Sequence, residues 1–171
     1  MTNDPAALQD LMAQAGPVLD LARVTAYEGE HAWSLVFDDE YGSSIDAEWD
    51  SAAERLVLTA SVATVPESAR LRAYELLLQY NYLWNEHGGV RAALADPAGD
   101  VVLLFDLPLT GLDLPRLCEV LTNLHAVAGG CRSVLGAAAE AASAARVPAS
   151  GIHAAPGQSQ GSAALPPMIR V

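Results

Sequence analysis

The fold is decided by residues 76–135, LLLQYNYLWNEHGGVRAALADPAGDVVLLFDLPLTGLDLPRLCEVLTNLHAVAGGCRSVL. The stretch opens as a helix that is apolar nearly all round. Two strand-like runs follow, 90–95 and 101–106, joined by Asp96-Pro97-Ala98-Gly99-Asp100, which has the residues of a hairpin loop. The second run is continuously apolar from Val101 to Phe105, the mark of a strand buried on both faces. A long helix then begins near residues 112–114, with Asp113 as its cap and Pro115 in its first turn. Leu114, Leu117, Leu121, Leu124, Ala128, Cys131 and Leu135 recur at spacings of three and four, so one stripe faces one packing surface. Gly129-Gly130 inside this helix costs about 1 kcal/mol per residue relative to Ala, which predicts close packing or a bend there.

Upstream, Pro66-Glu67-Ser68 opens the apolar helix, which the pattern carries to about residue 86, ahead of Gly88-Gly89. Leu71, Tyr74, Leu78 and Tyr82 line one side of it; Ala73, Leu76, Leu77, Tyr80, Leu83 and Trp84 cover much of the rest. A helix of this kind needs cover on two sides. A sheet can supply one, and a second copy of the chain is the simplest supplier of the other. Residues 33–37, 44–49 and 55–62 alternate apolar and polar and form a three-stranded antiparallel meander. At the start, Asn3 or Asp4 caps a helix with Pro5 in its first turn and Ala7, Leu8, Leu11, Met12 and Ala15 on one face. Gly16-Pro17 ends or bends it, and residues 18–22 make a short further turn. The chain is thus one α+β domain over 1–146, ordered α-β-β-β-α-β-β-α, with a twisted antiparallel sheet packed by helices. Residues 147–171 are small, polar and Pro-rich and are expected to be a disordered tail.

Composition narrows the function. Of the 171 residues, 51% are hydrophobic, enough for a core in a chain of this length. The 21 acids face 9 basic residues, all Arg, for a formal net charge of -12. That balance argues against nucleic-acid binding, which rests on clustered cations, and suits a basic or disordered partner. The start of the chain lacks a leader pattern and no run of about 18 apolar residues occurs, so a cytoplasmic protein with no membrane insertion is expected. Cys118 and Cys131 lie too far apart along one helix to pair and are read as buried thiols. His31, His87, His125 and His153 are scattered without metal-site spacing. The carboxylates Asp38, Asp39, Glu40, Asp46 and Glu48 are read as solvated charge. No phosphate loop, nucleophile elbow or zinc motif is present, so no metal, no cofactor and no catalytic residue is expected. A thiol mechanism built on Cys118 and His125 is the one enzymatic alternative. Trp33, Trp49 and Trp84 are each core or a binding hot spot.

Three features carry a family resemblance over about residues 4–135: the Leu-Leu-x-x-Asn-like segment Leu77-Leu78-Gln79-Tyr80-Asn81, the strand run Val101-Val102-Leu103-Leu104-Phe105, and Leu107-Pro108-Leu109 before a leucine-striped final helix. In this order they resemble the type III secretion chaperones of the Tir chaperone (CesT) family. The resemblance implies a cytoplasmic homodimer without nucleotide hydrolysis. Such a dimer holds the N-terminal part of a secreted effector in extended form and delivers it to the secretion ATPase or export gate. It implies effector binding by Leu8, Leu11 and Met12 of the opening helix and by Leu35, Phe37, Ile45 and Trp49 of the strands, on patches that stay exposed. The implied dimer interface is Leu76, Leu77, Tyr80, Leu83, Trp84 and Val90. The long tail and the Gly129-Gly130 pair depart from the family pattern. The alternative is an acidic adaptor or regulatory binding protein of the same fold that acts on a folded partner.

Overall fold

The computed structural model describes residues 4–27, 29–83 and 85–145; Trp84 and the tail lie outside the described residues. Helix α1 (Pro5–Val18) is capped by Asp4, whose Oδ1 accepts the Ala6 N–H at 3.0 Å, with Pro5 at the first helical position. Pro17 falls in its last turn and does not interrupt it. Gly16 lies against β1 (Leu21–Tyr27), where an added Cβ would stand 3.1 Å from Val24 Cγ2. Strand β1 departs from the sequence reading, which placed a further helical turn at residues 18–22. It is an edge strand whose residues are half-buried or exposed, with a register shift between Leu21 and Arg23, so it lacks the alternation by which strands are recognised.

The expected meander follows as β2 (Ala32–Phe37), β3 (Ser44–Asp50) and β4 (Arg55–Thr64), paired antiparallel in sequence order. A 3-10 turn (Glu67–Ala69) leads into α2 (Arg70–Tyr82), a helix shorter than the pattern suggested. Its apolar sequence runs on, but the chain turns away: Leu83 donates to Tyr80 O, His87 donates to Leu83 O, and Gly88 and Gly89 take φ of 64° and 92°. Strands β5 (Arg91–Leu94) and β6 (Asp100–Pro108) form the expected hairpin. At its tip Gly99 is required. Its φ is 104°, and a Cβ would stand 2.9 Å from Val65 O, where the loop docks on the end of β4. Helix α3 (Leu114–Ala145) is opened by Asp113, whose Oδ1 accepts the Arg116 N–H at 2.9 Å.

The six strands run in the order β1-β2-β3-β4-β6-β5, every pairing antiparallel. One face carries Trp33, Leu35 and Phe37 of β2, Ile45 and Ala47 of β3, Leu56, Leu58, Ala60 and Val62 of β4, and Leu103 and Leu107 of β6, all buried. Leu8, Met12 and Ala15 of α1 and Leu117, Leu121, Leu124, Ala128 and Leu135 of α3 join them in one core. On the opposite face Asp46 and Glu48 are exposed and Val36, Val57 and Thr59 are half-buried. There Asp50, Arg55, Asp106 and Arg91 form a chain of ion pairs at 2.7–3.0 Å that runs from β3 across β4 and β6 to β5.

The Gly129-Gly130 pair does not break α3, and among the described residues a Cβ at either position meets nothing within 4 Å beyond its own stretch of helix, so close packing against those residues is not its reason. Replacing both with alanine should therefore raise stability by about 0.5–1 kcal/mol per site. Urea unfolding checks this, and a loss of stability would show that the helix deviates there from regular geometry.

Candidate partner-binding surfaces

Most of the side chains assigned to effector binding are not available in the protomer. Leu8, Met12 and Leu35 are fully buried, Ile45 is 1% and Phe37 9% exposed, and only Leu11 and Trp49 are half-buried. This corrects the expectation of exposed patches. The apolar stripe of α1 and the apolar face of β2 and β3 are covered by the protein itself, and Trp33 Nε1 donates to Gln9 Oε1 to fix α1 over β2. What stays open is the rim of this packing. A groove of about 360 Å³ lies between the start of α1 and the β1–β2 turn, lined by Pro5, Ala6, Gln9, Tyr27, His31 and Trp33 among others. Tyr27 is 48% exposed on β1, whose outer edge is the end of the sheet. Trp49 stands nearby, its ring edge-on to His31 at 5.2 Å. The sequence reading missed this site because β1 left no periodic signal.

The residues assigned to the dimer interface divide. Tyr80 and Val90 are buried in the protomer, Leu76, Leu77 and Leu83 are half-buried, and Trp84 lies outside the described residues. Ala73 and Tyr80, seven apart, mark the inward side of α2, and Tyr80 stacks on His87 at 4.2 Å. The outward side is Leu71, Leu78 and Tyr82, exposed by 78%, 70% and 85%, with Leu94 of β5 also exposed. These are large apolar groups along one helix face, the surface for which the sequence demanded a second cover.

The end of the sheet farthest from the β1–β2 turn is tied to α3 by polar groups. Asp39 in the β2–β3 loop accepts from the Tyr41 and Ser43 N–H groups at 3.0 and 2.9 Å and meets His125 Nε2 at 2.9 Å, while the His125 ring stacks on Phe37 at 4.0 Å. Arg132 donates from Nε to Val62 O and from Nη2 to Ser43 Oγ, and its guanidinium lies 4.7 Å from the Tyr41 ring centre. His125 Nε2 is engaged by Asp39, and burial pushes the Cys118 thiol up, away from the thiolate that a nucleophile requires. Burial also pushes Cys131 up, to about 11.

A model of the Tir chaperone protein (CesT) family matches residues 33–132, from the start of β2 into α3. The chain belongs to this family. Among solved structures, this CesT-family chain is similar to one in the crystal structure of the ExsC-ExsE complex, with a TM-score of 0.64 and 21% identity over 77% of this chain and 95% of that one. It is also similar to one in the HopA1-SchA chaperone-effector complex, with a TM-score of 0.57 and 17% identity over 74% and 93%. At such identities the likeness is one of fold. Comparison with curated proteins gives no match. Among the described residues, no helix is long and apolar enough to cross a membrane.

Hydrogen bonds from the Ser43 N–H, with further ones from His125 and Tyr41, hold the Asp39 carboxyl well below the usual carboxylate range. Its contribution to stability is then present above the unfolded-state pKa of about 3.9 and lost as pH falls from there toward the depressed folded value. Asp39→Ala should cost on the order of 1 kcal/mol at pH 7 and make the loss of stability below about pH 4 shallower than in the wild type. Urea unfolding at pH 7 and pH 3 measures both, and parallel pH profiles would refute the assignment.

Proposed function

We propose that this CesT-family chain is a type III secretion chaperone acting in the bacterial cytoplasm. It binds the N-terminal region of one or more secreted effectors, keeps that region soluble and competent for export, and delivers it to the secretion ATPase or export gate. The family match over residues 33–132 carries the reading. The surfaces support it. The open edge of β1 offers backbone groups to an extended segment, and the adjoining groove offers apolar side chains, the combination that strand addition uses. Leu11 and Trp49, half-buried beside the core, are the two side chains of the expected effector set that a client reaches without unpacking the protomer. The net charge of -12 favours clients rich in Arg and Lys and keeps a protein with exposed leucines soluble. A chaperone needs no chemistry beyond this.

The dimer in this reading is made by the outward face of α2, where Leu71, Leu78 and Tyr82 lie one above another, with Leu76, Leu77 and Leu83 at its margin. Because Leu78 and Tyr82 are exposed in the protomer, the double change Leu78→Asp, Tyr82→Asp should leave the far-ultraviolet circular dichroism unchanged and shift the mass measured by light scattering from dimer to monomer. An unaltered dimer mass would place the interface elsewhere.

Capture of the tagged protein from its native lysate, light proteolysis and mass spectrometry test the function. N-terminal fragments of secreted proteins, protected only while bound, are the expected product. Recovery of one intact folded protein instead would point to the adaptor role and overturn the chaperone reading.

A further inference from the structure

Asn81 closes the Leu-Leu-x-x-Asn-like segment, and the surfaces described above leave it without a role. It sits near the end of α2 and reaches across to β5. Its Nδ2 donates to Ala92 O at 2.9 Å, and its Oδ1 accepts the Ala92 N–H at 2.7 Å. A carboxamide that both gives to and takes from the backbone of one strand residue does what the opposing residue does in a hydrogen-bonded antiparallel pair. In effect it is a strand one residue long.

The place it occupies is the free edge of the sheet. β5 is the last strand in the order and pairs with β6 alone. With both backbone groups of Ala92 turned to Asn81, the alternation of the ladder gives β6 the backbone groups of Arg91 and Ala93. Ala92 and Leu94 are left as the outward-facing residues of this four-residue strand. Asn81 takes the first of the two outward positions. Just beyond the second the chain enters the hairpin loop, where the next outward residue, Asp96, gives its carbonyl to the Gly99 N–H at 3.4 Å. An incoming strand therefore finds Leu94 and nothing in succession. At the other end of the sheet β1 is seven residues long, and among the described residues no side chain bonds its backbone.

We propose that Asn81 is a specificity-determining residue that closes the β5 edge to strand pairing, so that an extended partner polypeptide is taken up at the β1 edge. The first half stands on the geometry alone; the second rests on the chaperone reading.

The full-length protein without any client tests the first half. Asn81→Ala reopens two consecutive outward positions, so it should associate, with concentration, into species of about twice the wild-type mass or more through edge pairing. Adding Ala92→Pro removes the outward N–H without touching a bond to β6, and it should return the mass to that of the wild type. A wild-type mass for natively folded Asn81→Ala, or association that persists in the double variant, overturns the proposal. Should Asn81→Ala fail to fold, amide exchange in the wild-type protein decides: strong protection of the Ala92 N–H supports the clasp, and free exchange overturns it. For the second half, a client fragment recovered by capture should protect β1 amides and leave that of Leu94 unchanged. The reverse pattern overturns it. Failure to capture any client would count against the chaperone reading and leave the result for Asn81 standing.

Discussion

An open antiparallel sheet with one apolar face must have that face covered, and the arrangement of this protein follows from how the cover is supplied. The side chains of β2, β3, β4 and β6 that point inward are aliphatic or aromatic in nearly every case, and each one of Val size or larger is worth roughly 1.5–3 kcal/mol when removed from water. Two helices, α1 and α3, supply the cover, and with that the inward face is full. Helix α2, which connects β4 to the outer hairpin, is left at the rim beside β5. It keeps Ala73 and Tyr80 for the core and turns Leu71, Leu78 and Tyr82 outward. The surfaces open to partners are accordingly marginal to the core: the rim helix, the end strands and the groove between α1 and β1.

How much of this was legible depended on whether a residue's partner was local. Asp4 and Asp113 as caps, the 3.6-residue stripe of α3 and the alternation of β2, β3 and β4 are local facts, and the sequence displayed them. Strand β1 was not legible, because an edge strand with a register shift has no burial to impose a period on Ala22, Arg23 or Ala26. The burial of most of the expected effector set was not legible for a different reason. Leu8, Met12, Leu35 and Ile45 were rightly seen as apolar stripes, but a stripe does not say whether it meets its own chain or another one. The same ambiguity held for α2, where the sequence saw two apolar sides and only the position of β5 decides which of them faces out. Asn81 could be noticed as part of a motif, yet its role required knowing which strand lay across from it.

Polar groups then fix what apolar packing leaves loose. Arg132 and His125 hold the end of the sheet to α3 by bonds to Val62, Ser43 and Asp39, so the long helix is pinned at points two turns apart. On the uncovered face the linked ion pairs from Asp50 to Arg91 cross four strands. Each is individually worth little at a half-exposed site, but they share Arg55 and Asp106 and so resist sliding of β4 against β6. Six of the chain's nine basic residues are committed to internal bonds, at Arg55, Arg70, Arg72, Arg91, Arg116 and Arg132.

The pairing of β4 with β6 also governs how the chain reaches this state. β1 to β4 are neighbours in sequence as well as in the sheet, and β5 with β6 is a hairpin, so each half assembles from short-range pairings. Joining the halves closes the long segment between Thr64 and Asp100, the slow kind of step in β topology. Until it is complete, the two longest strands present bare edges, and one of them contains Val101-Val102-Leu103-Leu104-Phe105, an uncharged β-prone run of the sort that stacks into aggregates. Asp100 and Asp106 bracket that run at both ends. Besides their bonds in the finished fold, these two carboxylates act as gatekeepers for the newly made chain, placing like charges at each end of the segment that would otherwise pair with its own copies.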